Sequence, residues 1–321
     1  MYYSVRGKMT TVNCIRVNAD YESVLFHGKN GPSVVNEALE FLAFYLQDLP
    51  VLTTKSYQSG YLDKVRTLTG KNPQTTRTGK ARNWWGALEN PEREKWMNSK
   101  LTSFELALSH GWTEGGIYSR EEILELRPEK PYLVKDPFNM SGKGIIPIRP
   151  GENVTLPSAL NGELIAEPLL ARKFDFSHFI FPDGNVICYE NLVDDRFQYR
   201  GTLFSSLEDF SLRSLSFYHQ ISSQNWDVFQ SRLETITRFY GDPSPYGYSI
   251  DSFVFEENNE LRIHPLSEVN ARRTMGLTAY ELVKKIGRGK RAALTLKKPH
   301  FQDAILLSPE GARFEIYLSF E

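Results

Sequence analysis

The chain has 321 residues, of which 40% are hydrophobic, 13% aromatic and 24% charged, which excludes a peptide, a lone helical bundle or a disordered chain and leaves material for a sizeable core. Its 38 basic and 39 acidic side chains give a formal net charge of -1. There is no global cationic field for a nucleic-acid backbone or an acidic membrane, so an anionic ligand must be held by local cations.

Met1 to Asn18 carries Arg6, Lys8 and Arg16 without a following apolar segment, so it does not read as a secretory signal. Apolar residues at helical spacing from Pro32 to Leu49 predict one helix, followed by a short strand at Val51 to Thr53. Residues 54–98 are rich in Gly, Asn, Thr, Lys and Arg around Trp84-Trp85 and read as a surface-spanning connection anchored by two aromatics. A second helix is predicted over Ser99 to Ser109, then short strands at Tyr132 to Val134 and Glu163 to Ala166. Phe179 to Phe181 and Val186 to Tyr189 form a hairpin around Pro182-Asp183-Gly184-Asn185. Trp226, Phe229, Leu233, Ile236 and Tyr240 step at helical intervals before Gly241, which predicts an amphipathic helix. A second hairpin pairs Tyr248 to Phe255 with Leu261 to Asn270. The order points to α+β layers in place of a repeating parallel array.

Three segments carry candidate chemistry. Lys135 ends a strand, and Ser141-Gly142-Lys143-Gly144 follows. Small residues let backbone N–H groups approach phosphate oxygens, although an ordinary solvated turn has the same composition. The spacing is not that of a Walker loop. Glu167-Pro168-Leu169-Leu170, with Asp175 beyond it, could set backbone groups against an adenine edge and a carboxylate near a ribose, or be a strand end stopped by proline. The third segment is Glu268-Val269-Asn270-Ala271-Arg272-Arg273. Alternation along a strand puts Glu268 and Asn270 on one face, with Arg272 continuing it if the strand persists. Carboxylate and amide oxygens suit Mg²⁺, and a neighbouring guanidinium can bind phosphate or carboxylate. The competing reading is a charged strand face in solvent. Asp251 on the partner strand is the second candidate carboxylate.

Taken together and in this order, these segments resemble the ATP-grasp superfamily over about residues 98–280, within an uncharacterised bacterial branch. The resemblance implies an α+β ATP-grasp fold of two lobes clamping a nucleotide, preceded by a reduced α/β unit. The expected division is 1–97 for that unit and 98–321 for the ATP-grasp part, with lobes at 98–170 and 171–321. It implies ATP and Mg²⁺ as cofactors, with Mn²⁺ as a substitute. Lys100, Lys135, Ser141, Gly142, Lys143 and Gly144 would grip the phosphates. Glu167, Pro168, Leu169 and Leu170 would form the hinge, and Asp175 would meet the ribose. Asp251, Glu268 and Asn270 would hold the metal. Arg272 and Arg273, with Lys135, are the catalytic candidates. Asp251 lies farther from Glu268 than the resemblance suggests. Glu256 would restore the spacing but falls in the turn, so Asp251 is preferred.

The implied activity is carboxylate–amine or carboxylate–thiol ligation through an acylphosphate, on small-molecule carboxylates and amines such as amino acids or peptides. A small-molecule kinase on the same clamp and a non-catalytic nucleotide-binding module are the alternatives. No nucleic-acid or membrane partner is expected. A homodimer is compatible with the sequence, and the location is expected to be cytoplasmic. Cys14 and Cys188 fit no disulfide framework or zinc pattern. His110, His178, His219 and His264 form no ligand pair and are expected to be surface or hydrogen-bonded residues.

Overall fold

A computed structural model describes residues 12–28, 33–138, 144–158, 160–242 and 245–321. β1 (Asn13–Arg16) leads into α1 (Tyr21–His27), α2 (Val34–Leu39) and α3 (Leu42–Leu46). The single helix expected over 32–49 is therefore broken. The break falls at Glu40 and Phe41, where the buried Glu40 carboxylate accepts hydrogen bonds from the hydroxyls of Thr53 and Tyr57.

β2 (Val51–Leu52), α4 (Ser59–Thr69), β3 (Thr75–Thr76) and β4 (Lys80–Asn83) follow. They complete a parallel four-stranded sheet in the order β3-β2-β1-β4. Residues 54–98 are thus not a surface connection: they contain α4, β3, β4 and α5 (Pro91–Asn98). Trp84 and Trp85 are buried. The Asn18 amide fixes their backbone, its Oδ1 accepting the N–H groups of Trp84 at 3.2 Å and Trp85 at 2.9 Å. Polar composition concealed α4, which buries only Tyr61 and Val65.

α6 (Lys100–Ser109), β5 (Gly116–Tyr118), α7 (Arg120–Glu125), β6 (Tyr132–Lys135), β7 (Ile145–Ile148) and β8 (Leu164–Pro168) come next. Their strands form a four-stranded antiparallel sheet, β5-β8-β6-β7. Leu169 and Leu170 then carry the chain into the large sheet. Its members and their helices are β9 (Ala171–Ile180), β10 (Val186–Val193), β11 (Tyr199–Phe204), α8 (Ser223–Tyr240), β12 (Tyr248–Glu257), β13 (Glu260–Asn270), α9 (Met275–Ile286), β14 (Ala292–Leu296), β15 (Asp303–Leu306) and β16 (Ile316–Phe320). The eight strands run in the order β13-β12-β9-β10-β11-β14-β16-β15.

Two α+β lobes after a small parallel α/β unit is the architecture expected. β9 and β10 form the hairpin read from the Pro182-Asp183-Gly184-Asn185 turn, extended to Ala171 and Val193. The β12/β13 hairpin turns on Asn258 and Asn259 at φ 54° and 61°, positive values that asparagine tolerates well and that match the twist of the strands. Among the described residues no helix is long and apolar enough to cross a membrane.

One continuous apolar core joins Ile15, Tyr21, Phe41, Tyr45 and Val65 to Phe179, Tyr189, Leu282, Leu294, Leu318 and Phe320. The hydroxyls of Tyr45 and Tyr61 both donate to the Leu307 carbonyl, at 2.8 and 3.0 Å. Elsewhere α8 lays Trp226 and Phe229 against Phe176, Cys188, Phe217 and Val254.

His178 and His264 are both buried, and His178 departs from the expectation of a surface or hydrogen-bonded residue. Neither ring nitrogen of His178 has a hydrogen-bond partner among the described residues, and its ring packs on Phe176 and Phe229. Burial pushes its pKa down to about 3. The folded protein keeps the ring neutral, while the unfolded chain takes up a proton below about pH 6.5. Stability is therefore full above that pH and is lost progressively as pH falls toward 3. His178→Leu, which keeps the volume and removes two unsatisfied nitrogens, should raise the unfolding free energy at pH 8. At pH 5 the gain should be larger by about 2 kcal/mol. Urea titrations of both proteins at the two pH values measure it, and an equal gain at both would show that the ring does not resist protonation.

Candidate active site

The small and large sheets and the N-terminal unit enclose a cleft of about 270 Å³. Its floor is one face of the large sheet. Each of four adjacent strands contributes polar residues two apart: Asp175 and Ser177 from β9, Tyr189 and Asn191 from β10, Ser249 and Asp251 from β12, and Glu268 and Asn270 from β13. Alternation turns the intervening Phe176, Ile250 and Val269 into apolar clusters on the other side, and the intervening Glu190 of β10 is buried there, accepting from Ser205 and Ser216.

Asp251 stands directly opposite Glu268 in the β12/β13 register. The long interval between them is absorbed before Glu268, where the register shifts between Asp251 and Phe253. Pro265 cannot donate to the ladder, and its carbonyl accepts from the Ser252 hydroxyl at 2.8 Å. Glu256 sits near the hairpin turn instead, with Lys173 at 2.6 Å.

The Asp251 carboxylate accepts from Ser177 at 2.7 Å, Ser249 at 3.2 Å and the Asn270 amide at 3.0 Å. Asn191 in turn donates to Ser177 at 2.6 Å. Glu268 is held at 2.8 Å by Lys100. The sequence around Lys100 explains that placement. The Ser99 hydroxyl caps α6, and the neighbouring Asn98 side-chain oxygen accepts the Ala271 N–H at 2.9 Å, tying the helix start to the end of β13.

These contacts set the charges. Burial alone would raise the Glu268 pKa, but Lys100, Arg272 and Lys135 outweigh it and hold the carboxyl below the usual range. Burial first, and then the Glu268 charge, push Asp251 up to about 7 despite its hydroxyl donors. Two acids that resist ionising together form an oxygen-donor set that a divalent cation would relieve. Among the described residues there is no group of three or more His, Cys, Asp or Glu that could hold a metal, so any ion here would rest on two carboxylates and the Asn270 amide.

Lys135, at the end of β6, pairs with Glu167 on β8, both buried. Both line a pocket of about 10 Å³ with Lys100, His264 and Leu266. Asp175 lies 3.2 Å from Arg172, whose guanidinium covers the Phe253 ring at 3.7 Å. Pro168, Leu169 and Leu170 sit at the crossing between sheets and do not line the cleft. The Leu169 N–H is already taken by the Pro131 carbonyl at 2.9 Å. Ser141, Gly142 and Lys143 lie outside the described residues. Gly144 follows them with φ 72°, and its carbonyl accepts the Asp136 N–H at 3.0 Å.

The two arginines part company. Arg272 lines the cleft and donates to Asn270 at 2.9 Å and Glu22 at 2.6 Å. Arg273 corrects the expectation of an acceptor-side role. It is buried between the Trp84 ring, 4.5 Å away, and Glu281, to which it donates at 2.6 and 3.1 Å. It lies beyond the end of β13, where its backbone N–H donates to the Trp85 carbonyl at 2.8 Å and its side chain is drawn to Trp84 and Glu281. Sequence reasoning missed Glu22, Ser177, Tyr189 and Asn191. A signal for the last three was present as polar pairs two apart in successive strands, whereas Glu22 arrives only through the packing of α1. Gly276 is also required, because a Cβ there would lie 2.1 Å from the Tyr189 ring at the cleft wall.

This geometry defines a two-lobed α+β clamp with cations and paired acids at its centre. No protein-family model matches the chain, and no curated protein matches it. Among solved structures it is similar to N5-carboxyaminoimidazole synthetase from Staphylococcus aureus complexed with ADP, at 12% identity and TM-score 0.45, covering 75% of this chain and 70% of that one. It is also similar to biotin carboxylase from Campylobacter jejuni in a nucleotide complex, at 11% identity and TM-score 0.48, covering 74% and 65%. A third is the biotin carboxylase domain of Hydrogenobacter thermophilus 2-oxoglutarate carboxylase with MgADP and bicarbonate, at 13% identity and TM-score 0.46, covering 74% and 64%.

Proposed function

We propose that the chain is an ATP-grasp ligase that uses ATP and Mg²⁺ to activate a small-molecule carboxylate as an acylphosphate, which an amine or thiol then attacks. The observation that carries this reading is the β12/β13 register, which sets Asp251 against Glu268 with Asn270 bonded to Asp251. Lys100, Lys135 and the segment from Ser141 to Gly144 would meet the triphosphate, and Asp251, Glu268 and Asn270 would hold Mg²⁺. When bound, the ion offsets charge on the transferred phosphoryl group. Arg272 faces the acceptor, where its planar fork suits a carboxylate better than a hydroxyl. The γ-phosphoryl passes to a carboxylate oxygen with loss of ADP, and the nucleophile displaces phosphate. No protein nucleophile is needed, in keeping with Cys188, whose thiol burial pushes far above its usual range.

Saturating Mg·ATP should raise the melting temperature by mass action. With hydroxylamine present, a panel of carboxylates should yield ADP and the hydroxamate of the true substrate. No thermal shift would refute the clamp, and a stable phosphate ester without hydroxamate would identify a kinase instead.

A further inference from the structure

Glu22 has no part in the nucleotide and metal reading, yet it lines the cleft and is buried. Glu22 and Arg272 form a direct ion pair at 2.6 Å, with side chains 10% and 13% exposed. They come from opposite ends of the sequence and meet where the N-terminal unit closes over the site. Building on the ligase reading, we propose that this ion pair is the recognition element for a zwitterionic α-amino acid. Arg272 takes its carboxylate and Glu22 its ammonium group.

The guanidinium is only partly engaged. Arg272 Nη2 reaches Glu22 and Asn270, and Nη1 reaches the Arg273 carbonyl at 3.1 Å. The Nε–H is buried and has no acceptor among the described residues. Nε and Nη2 share the edge on which arginine grips a carboxylate through two parallel bonds. A substrate carboxylate on that edge satisfies the orphaned Nε–H and displaces the Glu22 oxygen from Nη2.

Displacement leaves Glu22 as a buried carboxylate without its cation, which is strongly unfavourable. Lys100, which also feels the Glu22 charge, is held by Glu268. A ligand that brings its own cation resolves the conflict, and the α-ammonium and α-carboxylate of an amino acid sit one carbon apart, suited to two protein charges already in contact. A carboxylate without an amine, or with an acylated amine, leaves Glu22 unpaired. The same cleft also has an apolar lining: Val35, Leu39 and Trp85 from the N-terminal unit, and Met275. It matches an aliphatic side chain.

The assignment also fixes which substrate this is. An ammonium held protonated by Glu22 cannot act as a nucleophile, so the amino acid is the partner whose carboxylate is activated. The second substrate supplies the attacking amine or thiol.

The test uses the full chain with Mg·ATP and hydroxylamine. The probes are alanine, valine and leucine in both enantiomers, their N-acetyl derivatives and the matching acids that lack the amino group. We expect hydroxamate from at least one amino acid, with kcat/KM about 10- to 100-fold lower for its acetylated and deaminated forms, the range for losing a charged hydrogen bond. Glu22→Gln should raise the KM for that amino acid by a similar factor and abolish its advantage over the deaminated acid. A Glu22 that merely props Arg272 would, when changed, lower activity on both acids equally. That result, or equal use of both acids by the wild type, overturns the assignment and leaves the ligase reading intact. If the variant does not fold, the wild-type comparison decides alone. Hydroxamate from none of these probes but from other carboxylates refutes only the amino-acid assignment. ADP release without hydroxamate from any carboxylate refutes the ligase reading and this one with it.

Discussion

Glu268→Gln should reduce ATP turnover by at least about 10³-fold, the scale on which removal of one preorganised electrostatic group acts in a water-poor site. The substitution keeps an oxygen that can accept from Lys100, so the contact holding α6 against β13 survives and the melting temperature should change little. What disappears is one of the two carboxylate charges needed to hold a divalent cation opposite Asp251. Asp251→Asn should be comparably severe. Glu256→Gln should be near neutral, because its partner Lys173 lies in an exposed pair of little energetic value, with side chains 39% and 43% exposed. Turnover of Glu268→Gln within tenfold of wild type at saturating Mg²⁺ would remove Glu268 from the chemistry.

The second large effect concerns Lys135. Replacing it with Met should destabilise the protein by about 3 to 5 kcal/mol at pH 8, because Glu167 stays behind as a buried charge. Burial alone would raise the Glu167 pKa, and Lys135 is the main influence holding it below the usual range. Without that cation the carboxyl must ionise unpaired or bind a proton. The double variant Lys135→Met with Glu167→Leu should recover most of the lost stability, since a packed apolar pair can replace a buried ion pair at little cost. It should not recover Mg·ATP binding. Chemical denaturation and calorimetric titration of the wild type and the three variants separate the two roles. A double variant that binds Mg·ATP like the wild type would reduce Lys135 to a structural residue.

Strand periodicity made the central constellation readable. Glu268 and Asn270 share a face because alternate strand residues must, and Asp251 faces them across a hairpin with an apolar pattern on both arms. Beyond Asn270 the strand stops, so the burial of Arg273 against Trp84 and Glu281 was set by tertiary contacts that no period announces. Short elements were harder. β2 and β3 have two residues each, too few to show a period, and the polar surface of α4 hid its buried stripe. The helix over 32–49 failed because the signal that splits it, Glu40 bonded to Thr53 and Tyr57, is tertiary. Glu22 was illegible for the same reason, as its partner lies 250 positions away.

The hydroxyls of Tyr45 and Tyr61 that meet the Leu307 carbonyl constrain the order in which the molecule can be made. The cluster that buries Ile15, Phe41 and Val65 is completed by Leu294, Leu318 and Phe320, so the core around the earlier residues stays unfinished until segments more than two hundred residues later have been made. Closing a loop of that length is entropically slow, and a topology dominated by such distant pairings folds slowly. During synthesis the early helices wait with apolar faces uncovered, which is the situation chaperones relieve. Removal of β16 would strip the ladder partner of β14 and β15 and at the same time open the core shared with Tyr45 and Tyr61, far back in the sequence.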